Sequence, residues 1–451
     1  MKRLMYFACT SVAIAAAAAC ASAEDDPIAV EPGADSGVVL HDEPDADTPA
    51  GDAEAGTDDA GIDAGPSCSP AGWCATQLPD SDLTLRDVWA FPDNALAVAT
   101  SPTLGVKVLE WTSATRAWTY IDDNTQNESG RGQYVGKLWA SSADELYFTV
   151  APRTVFRGKR SGVTWSWAHW QLESRIPVYT APTFQYPDHY KGLPRHSSSG
   201  MDHPALGVFG TSANDVYAWF GNAIYKLSSD DAGLPSWNVE YVADDIDRPD
   251  EQLFFNAATG SGPDDLWFAG GRAGNPTDTR TCAIVVHKTA AGYRRVADAV
   301  GLAPGFPPTF PPKPPCGARP GTVLIEGTTG WLTDIAVESA TSIVGLKAAY
   351  SLARITVNGD VYSASTLTLP NTVASRPVVS LWTTPGEPIW LGGTNVVARG
   401  DDVWSDGGAF SLSTIALNGA WLDMAVHRIR GSSNSDRWAV GARYALHKTT
   451  P

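Results

Sequence analysis

The chain is short of charge, and the charge it has is one-sided. Only 18% of its 451 residues are Asp, Glu, Lys or Arg, with 32 bases against 50 acids. Residues 24–65 hold 14 acids and no Lys or Arg, and residues 66–451 hold 36 acids against 30 bases. Phosphate backbones are bound by clustered cations, so a mildly acidic body with few basic clusters argues against a nucleic-acid partner. Long apolar runs are absent beyond Leu4–Ala19, so no other segment is expected to cross a membrane. Catalytic signatures are also missing: there is no G-x-S-x-G, H-E-x-x-H or G-x-x-x-x-G-K-[ST], and no pair of adjacent cysteines. What the chain does have is 42 Gly, 32 Pro and 17 Trp at 43% hydrophobic content. That is enough apolar surface for a large core, in a composition that suits turn-rich β structure and excludes a coiled coil or helical bundle.

The first 23 residues read as a secretory signal peptide. Lys2 and Arg3 form a cationic start, Leu4 to Ala19 a short apolar stretch, and small residues follow. Two processing sites compete. Ala17-Ala18-Ala19-Cys20 resembles a lipobox in which Cys20 is lipidated, with Ala17 where Leu is usual; Ala21-Ser22-Ala23 before Glu24 suits ordinary signal peptidase. Residues 24–65 lack any aromatic and cannot bury enough apolar surface to offset their ordering entropy. They are expected to form a disordered acidic linker with a coil span of roughly 35–40 Å. A spacer of that kind after a cysteine favours lipidation of Cys20 over simple cleavage. The location that follows is an outer-membrane or cell-surface lipoprotein, with a periplasmic or extracellular protein as the alternative. Beyond the leader, Cys68, Cys74, Cys282 and Cys316 remain, and proximity favours Cys68–Cys74 and Cys282–Cys316 disulfides over a zinc site.

Seven copies of one unit fill residues 66–451: an apolar strand, a small-residue turn carrying Asp or Asn, then a second strand opening on an aliphatic and often Trp or Tyr. Clear copies are Gly207-Val208-Phe209-Gly210-Thr211-Ser212-Ala213-Asn214-Asp215-Val216-Tyr217 and Ser261-Gly262-Pro263-Asp264-Asp265-Leu266-Trp267. Anchors at Leu96, Leu146, Val216, Leu266, Ile343, Ile389 and Arg437 are 50, 70, 50, 77, 46 and 48 residues apart, four of the six intervals matching one four-stranded propeller blade. Units five and six depart most, since Ser342 stands where the turn acid is expected. The last unit stops at Tyr444–Lys448, and an unassigned piece at Trp73–Leu78 is expected to complete it. The fold expected is an all-β, seven-bladed β-propeller closed by an N-terminal strand.

On these motifs, of which Asp264-Asp265-Leu266-Trp267-Phe268-Ala269-Gly270 is the nearest copy, the chain resembles a family of exported bacterial β-propeller proteins with V-W-G-S-S-P-D-D-V-W-A-V-G-like repeats. Many members are predicted lipoproteins. The resemblance covers about residues 68–451 and implies fold and export; it supplies no catalytic residues.

Two insertions interrupt the repeats. Ser174–Pro204 carries Tyr186, His189, Tyr190, His196 and His203. Its three histidines are seven residues apart in a Pro- and Ser-rich loop, which defines no common face, so these residues are read as a ligand-contacting loop without metal. Leu302–Gly321 holds eight prolines, seven of them before Cys316, and is expected to be a stiff arm tied down by Cys316. Gly162-Val163-Thr164-Trp165 resembles the tail of a sialidase-type Asp box but has Arg160 at the acid position, and Arg399-Gly400-Asp401 is read as a chance adhesion-like tripeptide in a turn. Trp165 and Trp167 share one face of their strand and are read as packing against a neighbour. The expectation is a monomeric, non-enzymatic binding or scaffolding module for a protein or glycan, without cofactor. The alternative is a secreted glycoside hydrolase or lyase using the central pocket, which would need two or three carboxylates converging with Arg or Tyr at the ring's mouth.

Overall fold

The computed structural model describes residues 68–128, 134–173, 205–230, 232–245, 252–273, 281–302, 316–327, 330–405, 408–413, 415–417, 420–421 and 425–450. Cys20 and all five ring-bearing residues proposed above for the first insertion, Tyr186, His189, Tyr190, His196 and His203, lie outside them.

Seven antiparallel sheets form a seven-bladed propeller. Their inner strands, in order of blades one to seven, are Thr84–Phe91, Val135–Ser142, Leu206–Ser212, Gln252–Gly262, Leu332–Ser339, Val378–Trp382 and Val426–Ser433. Each lies beside the next, and the last lies beside the first. Three further strands follow outward in blades one to six, and blade four adds a fifth, Cys316–Ala318. Successive strands of a blade run in opposite directions. The turns joining first to second and third to fourth strands therefore share one face of the ring, here the hairpin face. The second-to-third turns and the inter-blade connections share the other.

Alternation along the strands explains the core. Asp215–Phe220 and Ile389–Gly393 are buried along their whole length because second strands are covered on both sides by neighbouring blades. Outermost strands alternate: Thr164–Gln171 turns Trp165 and Trp167 inward and leaves Ser166 and Ala168 exposed. Trp167 donates from Nε1 to the Ile121 carbonyl of blade one at 3.2 Å, and the two indoles stack at 5.8 Å. This pair packs against a neighbouring blade.

Ring closure follows the expected plan. Cys74–Ala75 pairs with Tyr444–Lys448, Cys74 opposite His447 and Ala75 opposite Leu446. Thr76 continues the pairing through its N–H to the Ala445 carbonyl at 2.9 Å, then receives the Trp118 indole N–H of blade one at 2.9 Å. The N-terminal segment thus joins blade seven to blade one. Trp73 is fully buried against Trp390. Both disulfides, Cys68–Cys74 and Cys282–Cys316, are formed. One anchor shifts: Asn94 faces Phe91 with no bulge in the hairpin, so Ala95 rather than Leu96 takes the position of Leu146 and Val216.

The inner strands of blades one, five, six and seven each carry a β-bulge, after which stand Asp87, Asp334, Ser380 and Arg428. A bulge frees a side chain from the ladder and re-aims it. Asp87 accepts the backbone N–H of Leu138 in blade two at 2.9 Å, Asp334 that of Leu381 in blade six at 2.9 Å, and Ser380 that of Ile429 in blade seven at 3.0 Å. Arg428 then joins the two carboxylates, with Nε 3.1 Å from Asp87 Oδ1 and NH1 2.5 Å from Asp334 Oδ2. Both acids are 1% exposed.

Two stability effects follow. Arg428→Met leaves two buried carboxylates without their cation and should cost about 3–5 kcal/mol in urea unfolding. His427, beside this network, gives its Nδ1 to the Leu85 carbonyl at 3.2 Å, and burial, reinforced by Arg86, pushes its pKa down to about 4. Its folded value lies below that of the free imidazole, so its contribution is complete above pH 6.5 and is lost as pH falls toward 4. The loss should approach about 1.4 kcal/mol per pH unit at its steepest. Melting curves between pH 7.5 and 4 should show this slope reduced in His427→Gln.

Candidate functional site

The hairpin face is built from one recurring arrangement that reading along the chain does not reveal. In blade four Asp265 opens the second strand. It accepts from Ser261 Oγ four residues earlier at 2.5 Å, from Trp267 Nε1 at 2.8 Å, and shares a hydrogen bond of 3.0 Å with His287 Nε2 on the third strand. The His287 ring stacks on Trp267 at 3.7 Å. The hydrogen bond from His287, against the opposing effect of burial, holds the Asp265 carboxyl down to about 2. Blade seven repeats the set with Ser432, Asp436, Trp438 and His447. Blade three uses Thr211, Asp215, Tyr217 and Lys226, and blade two Ser141, Glu145, Tyr147 and Arg157. Blade one moves the acid to the third strand, where Glu110 accepts from Asn94 and from Arg160 of blade two. The third-strand partner was the missed element. Its signal is a polar residue directly opposite the aromatic, as in Trp267↔His287, Trp438↔His447 and Tyr147↔Arg157.

Blades five and six break the arrangement, and the break opens a groove. In blade five the acid and the hydroxyl exchange places. Glu338 occupies the position of Ser141 and Ser342 that of Glu145; Ser342 Oγ donates to Glu338 Oε2 at 3.0 Å and Arg354 Nε to the same oxygen at 2.7 Å. Ser342, standing where the turn acid is expected, keeps the set intact with roles reversed. Blade five has Val344 where blades two, three, four, six and seven have an aromatic, so Arg354 reaches across to cover Trp404 of blade six, 4.5 Å from the ring centroid. In blade six Pro388 stands at the acid position and offers neither carboxylate nor N–H. Arg399 therefore pairs with Asp401 at 3.1 Å, and the face of Trp390 is covered by Arg437 from blade seven at 4.1 Å.

The space left between the two hairpins is about 430 Å³, walled by Glu338 and Arg354 on one side and by Glu387, Asp401, Asp402 and Trp404 on the other. Glu387 and Asp402 are exposed, and the Asp401 side chain is 53% exposed. A smaller cavity of about 130 Å³ lies on the other side of the same blade-five hairpin, against Asp265, Trp267 and His287. The wall is anionic and rigid, since Trp404 and Glu338 are both held by Arg354. It suits a cationic or hydrogen-bond-donating side chain laid across the rim.

The other expected sites resolve as follows. The first insertion leaves blade two after Leu172 and Glu173 and returns at Ala205, and the arm of the second returns at Cys316. Both spring from the face opposite the groove. Around the second, Arg272 holds Asp298 through two nitrogens at 2.8 to 3.0 Å and Asp245 at 2.7 Å. The adhesion-like tripeptide lies not in a turn but at the end of the strand Val396–Asp401, where Arg399 and Asp401 pair with each other in the groove wall. The Asp-box-like tail is a hairpin in which Arg160 bonds Asp144 and Glu110. At the ring's centre Asp87 and Asp334 converge with Arg428, but every oxygen of the pair already accepts a backbone N–H, from Val88, Leu138, Ile335 and Leu381. With each oxygen committed to a backbone N–H and both acids 1% exposed, they act as staples between blades. Among the described residues no group of three or more His, Cys, Asp or Glu is placed to hold a metal ion.

The exchange in blade five makes a specific test. Ser342→Asp sets a second carboxylate against Glu338 and should destabilise by about 1–3 kcal/mol. Combining it with Glu338→Ser rebuilds the order seen in blade four and should recover most of the loss. Urea unfolding of both singles and the double gives the coupling directly.

No family model matches the chain, and no curated protein sequence matches it. Solved structures do. YCF48 from Cyanidioschyzon merolae aligns with 14% identity over 84% of this chain and 99% of its own, at a TM-score of 0.51. A structure of YCF48 bound to D1 peptide aligns with 12% identity over 86% and 98%, at 0.49. The WD40 propeller domain of Doa1 aligns with 12% identity over 83% and 96%, at 0.44. The first of these likenesses bears on fold alone: the chain is a β-propeller.

Proposed function

We propose that this is an exported propeller, lipid-anchored at Cys20 and tethered by residues 24–65, whose head binds a protein ligand at the cell surface without catalysing a reaction on it. The observation that carries the binding part is the groove between blades five and six. It exists only where the repeated hairpin arrangement is broken, and its exposed carboxylates Glu387, Asp401 and Asp402 and its fixed indole match a basic peptide segment. Departures from an otherwise consistent local pattern are where function is expected to sit. The sealing of Asp87 and Asp334 removes the acid pair that a central glycosidase site would use. Export and anchoring are supported by Lys2, Arg3, the apolar run Leu4–Ala19 and Cys20.

The binding claim is tested on an array of immobilised short peptides and glycans at low and physiological salt. Arg- and Lys-containing peptides should be retained, with affinity at least ten-fold lower in Glu387→Gln/Asp401→Asn/Asp402→Asn and in the wild type at high salt. Retention of glycans alone, or equal binding by the triple variant, would sink it. The anchoring claim is tested separately by the intact mass of the N-terminal peptide from a lipoprotein-competent bacterial host. A diacyl or triacyl Cys20 is the expected species, and an unmodified start at Glu24 would remove the anchor.

A further inference from the structure

The middle of the ring holds more cation than its acids can neutralise. Asp87 and Asp334 face three bases: Arg428 and Arg430 on the inner strand of blade seven, and Lys137 on that of blade two. Arg428 is matched, one carboxylate on each side. Arg430 is not. Its Nε is 3.5 Å from Asp87 Oδ1, an oxygen already occupied by the Val88 N–H and by Arg428, and that nitrogen is buried without a hydrogen bond. Its guanidinium is fixed by lying 4.9 Å over the Trp89 ring, which is itself set edge-on against Trp139. Lys137 sits in the bulge between Val135 and Leu138, outside the ladder, with its ammonium within electrostatic reach of both arginines and both aspartates. Among the described residues no other carboxylate stands within ion-pair distance of either Lys137 or Arg430.

Cations with unclaimed donors are costly at a largely buried site, because the neighbouring guanidiniums disfavour each charge and lost hydration is only partly recovered. The molecule shows that cost. Burial, then the neighbouring guanidiniums, press Lys137 down to about 8; burial and Arg428 press Arg430 down to about 10. Solvent still reaches both: the Arg430 side chain is 19% exposed and Lys137 is half-buried. A buried group left without a hydrogen bond marks a place for an ion or ligand.

We infer that Lys137 and Arg430 form an oxyanion site on the propeller axis, taking a carboxylate or phosphate group between the ammonium and the guanidinium with Arg428 behind. A planar guanidinium presents paired donors to two oxygens of one such group, and the ammonium supplies a point charge from the facing strand. The site is independent of the groove at the blade rim, so either can fail without the other.

The test uses the full chain, with inorganic phosphate and sulfate as probes against sodium chloride at matched ionic strength. Wild type should gain melting temperature with phosphate or sulfate beyond the chloride control. Titration calorimetry should give a phosphate dissociation constant at least ten-fold weaker in Lys137→Gln and in Arg430→Gln. Removing the unpaired ammonium also relieves repulsion, so Lys137→Gln should melt higher than wild type in chloride alone, a result that excludes misfolding as the cause of lost binding. Triglycine against its C-terminal amide separates a chain-terminal carboxylate from a free inorganic anion, and either one binding through Lys137 supports the site. An equal response to the oxyanions in wild type and Lys137→Gln, or no wild-type response at tens of millimolar, overturns it.

Discussion

Among the described residues, Arg428 forms the ion pair that reaches past a neighbouring blade, from blade seven to Asp334 of blade five. Propeller blades are held to their neighbours by apolar side chains between sheets, a contact that is strong but indifferent to rotation and slip. The direction comes from the axis. Asp87, Asp334 and Ser380 each reach over to a backbone N–H of the following inner strand. Arg428 ties blade seven at once to blade one and, across blade six, to blade five. Buried ion pairs of this kind contribute little net stability compared with apolar packing, because desolvation offsets most of the attraction. What they enforce is register: a blade displaced by one residue would leave two carboxylates and a guanidinium unmatched.

Much of this architecture was legible in the sequence because a propeller repeats its turns. The small-residue turn with Asp or Asn before an aliphatic marks where a first strand reverses into a second, and seven such marks give seven blades. The closing strand was legible too, from a last unit one strand short and an unassigned piece at Trp73. The third-strand partner was not, because pairing Trp267 with His287 needs the length of the intervening 2–3 connection, which varies from blade to blade. Glu338 and Ser342 show the same limit. Read as a list, Ser342 is a lost acid; read in space, it is Ser141 and Glu145 with positions exchanged. The axial staples had a faint signal, a polar residue inside an otherwise apolar inner strand, but their bulges shift the alternation that reveals which face a residue takes.

The groove follows from the same bookkeeping of partners. Each regular blade caps its second-strand aromatic with its own third-strand Lys, Arg or His, which closes the rim. Val344 gives Arg354 nothing to cover at home and Pro388 gives Arg399 nothing to bind, so Arg354 covers Trp404 of blade six and Arg399 pairs with Asp401 in its own strand, while Trp390 is covered by Arg437 of blade seven. Two substitutions in the repeat therefore reshape two blades, and the rim is left with carboxylates facing solvent. The insertions that looked most like binding loops leave from the opposite face, so the two ends of the ring are chemically unlike.

The N-terminal strand also gives the ring a mechanical polarity. It enters from the hairpin face and runs along Tyr444–Lys448 before crossing to blade one at Thr76 and Trp118. Tension transmitted through the chain ahead of Cys68 acts along that strand, so its hydrogen bonds are loaded together in shear instead of being peeled one by one. The Cys68–Cys74 bridge passes the load past the intervening turn directly to Cys74, and the buried Trp73 indole must leave its place against Trp390 before the seam can slide. The closure of the ring is thus arranged to hold when the protein is pulled from its N-terminal end.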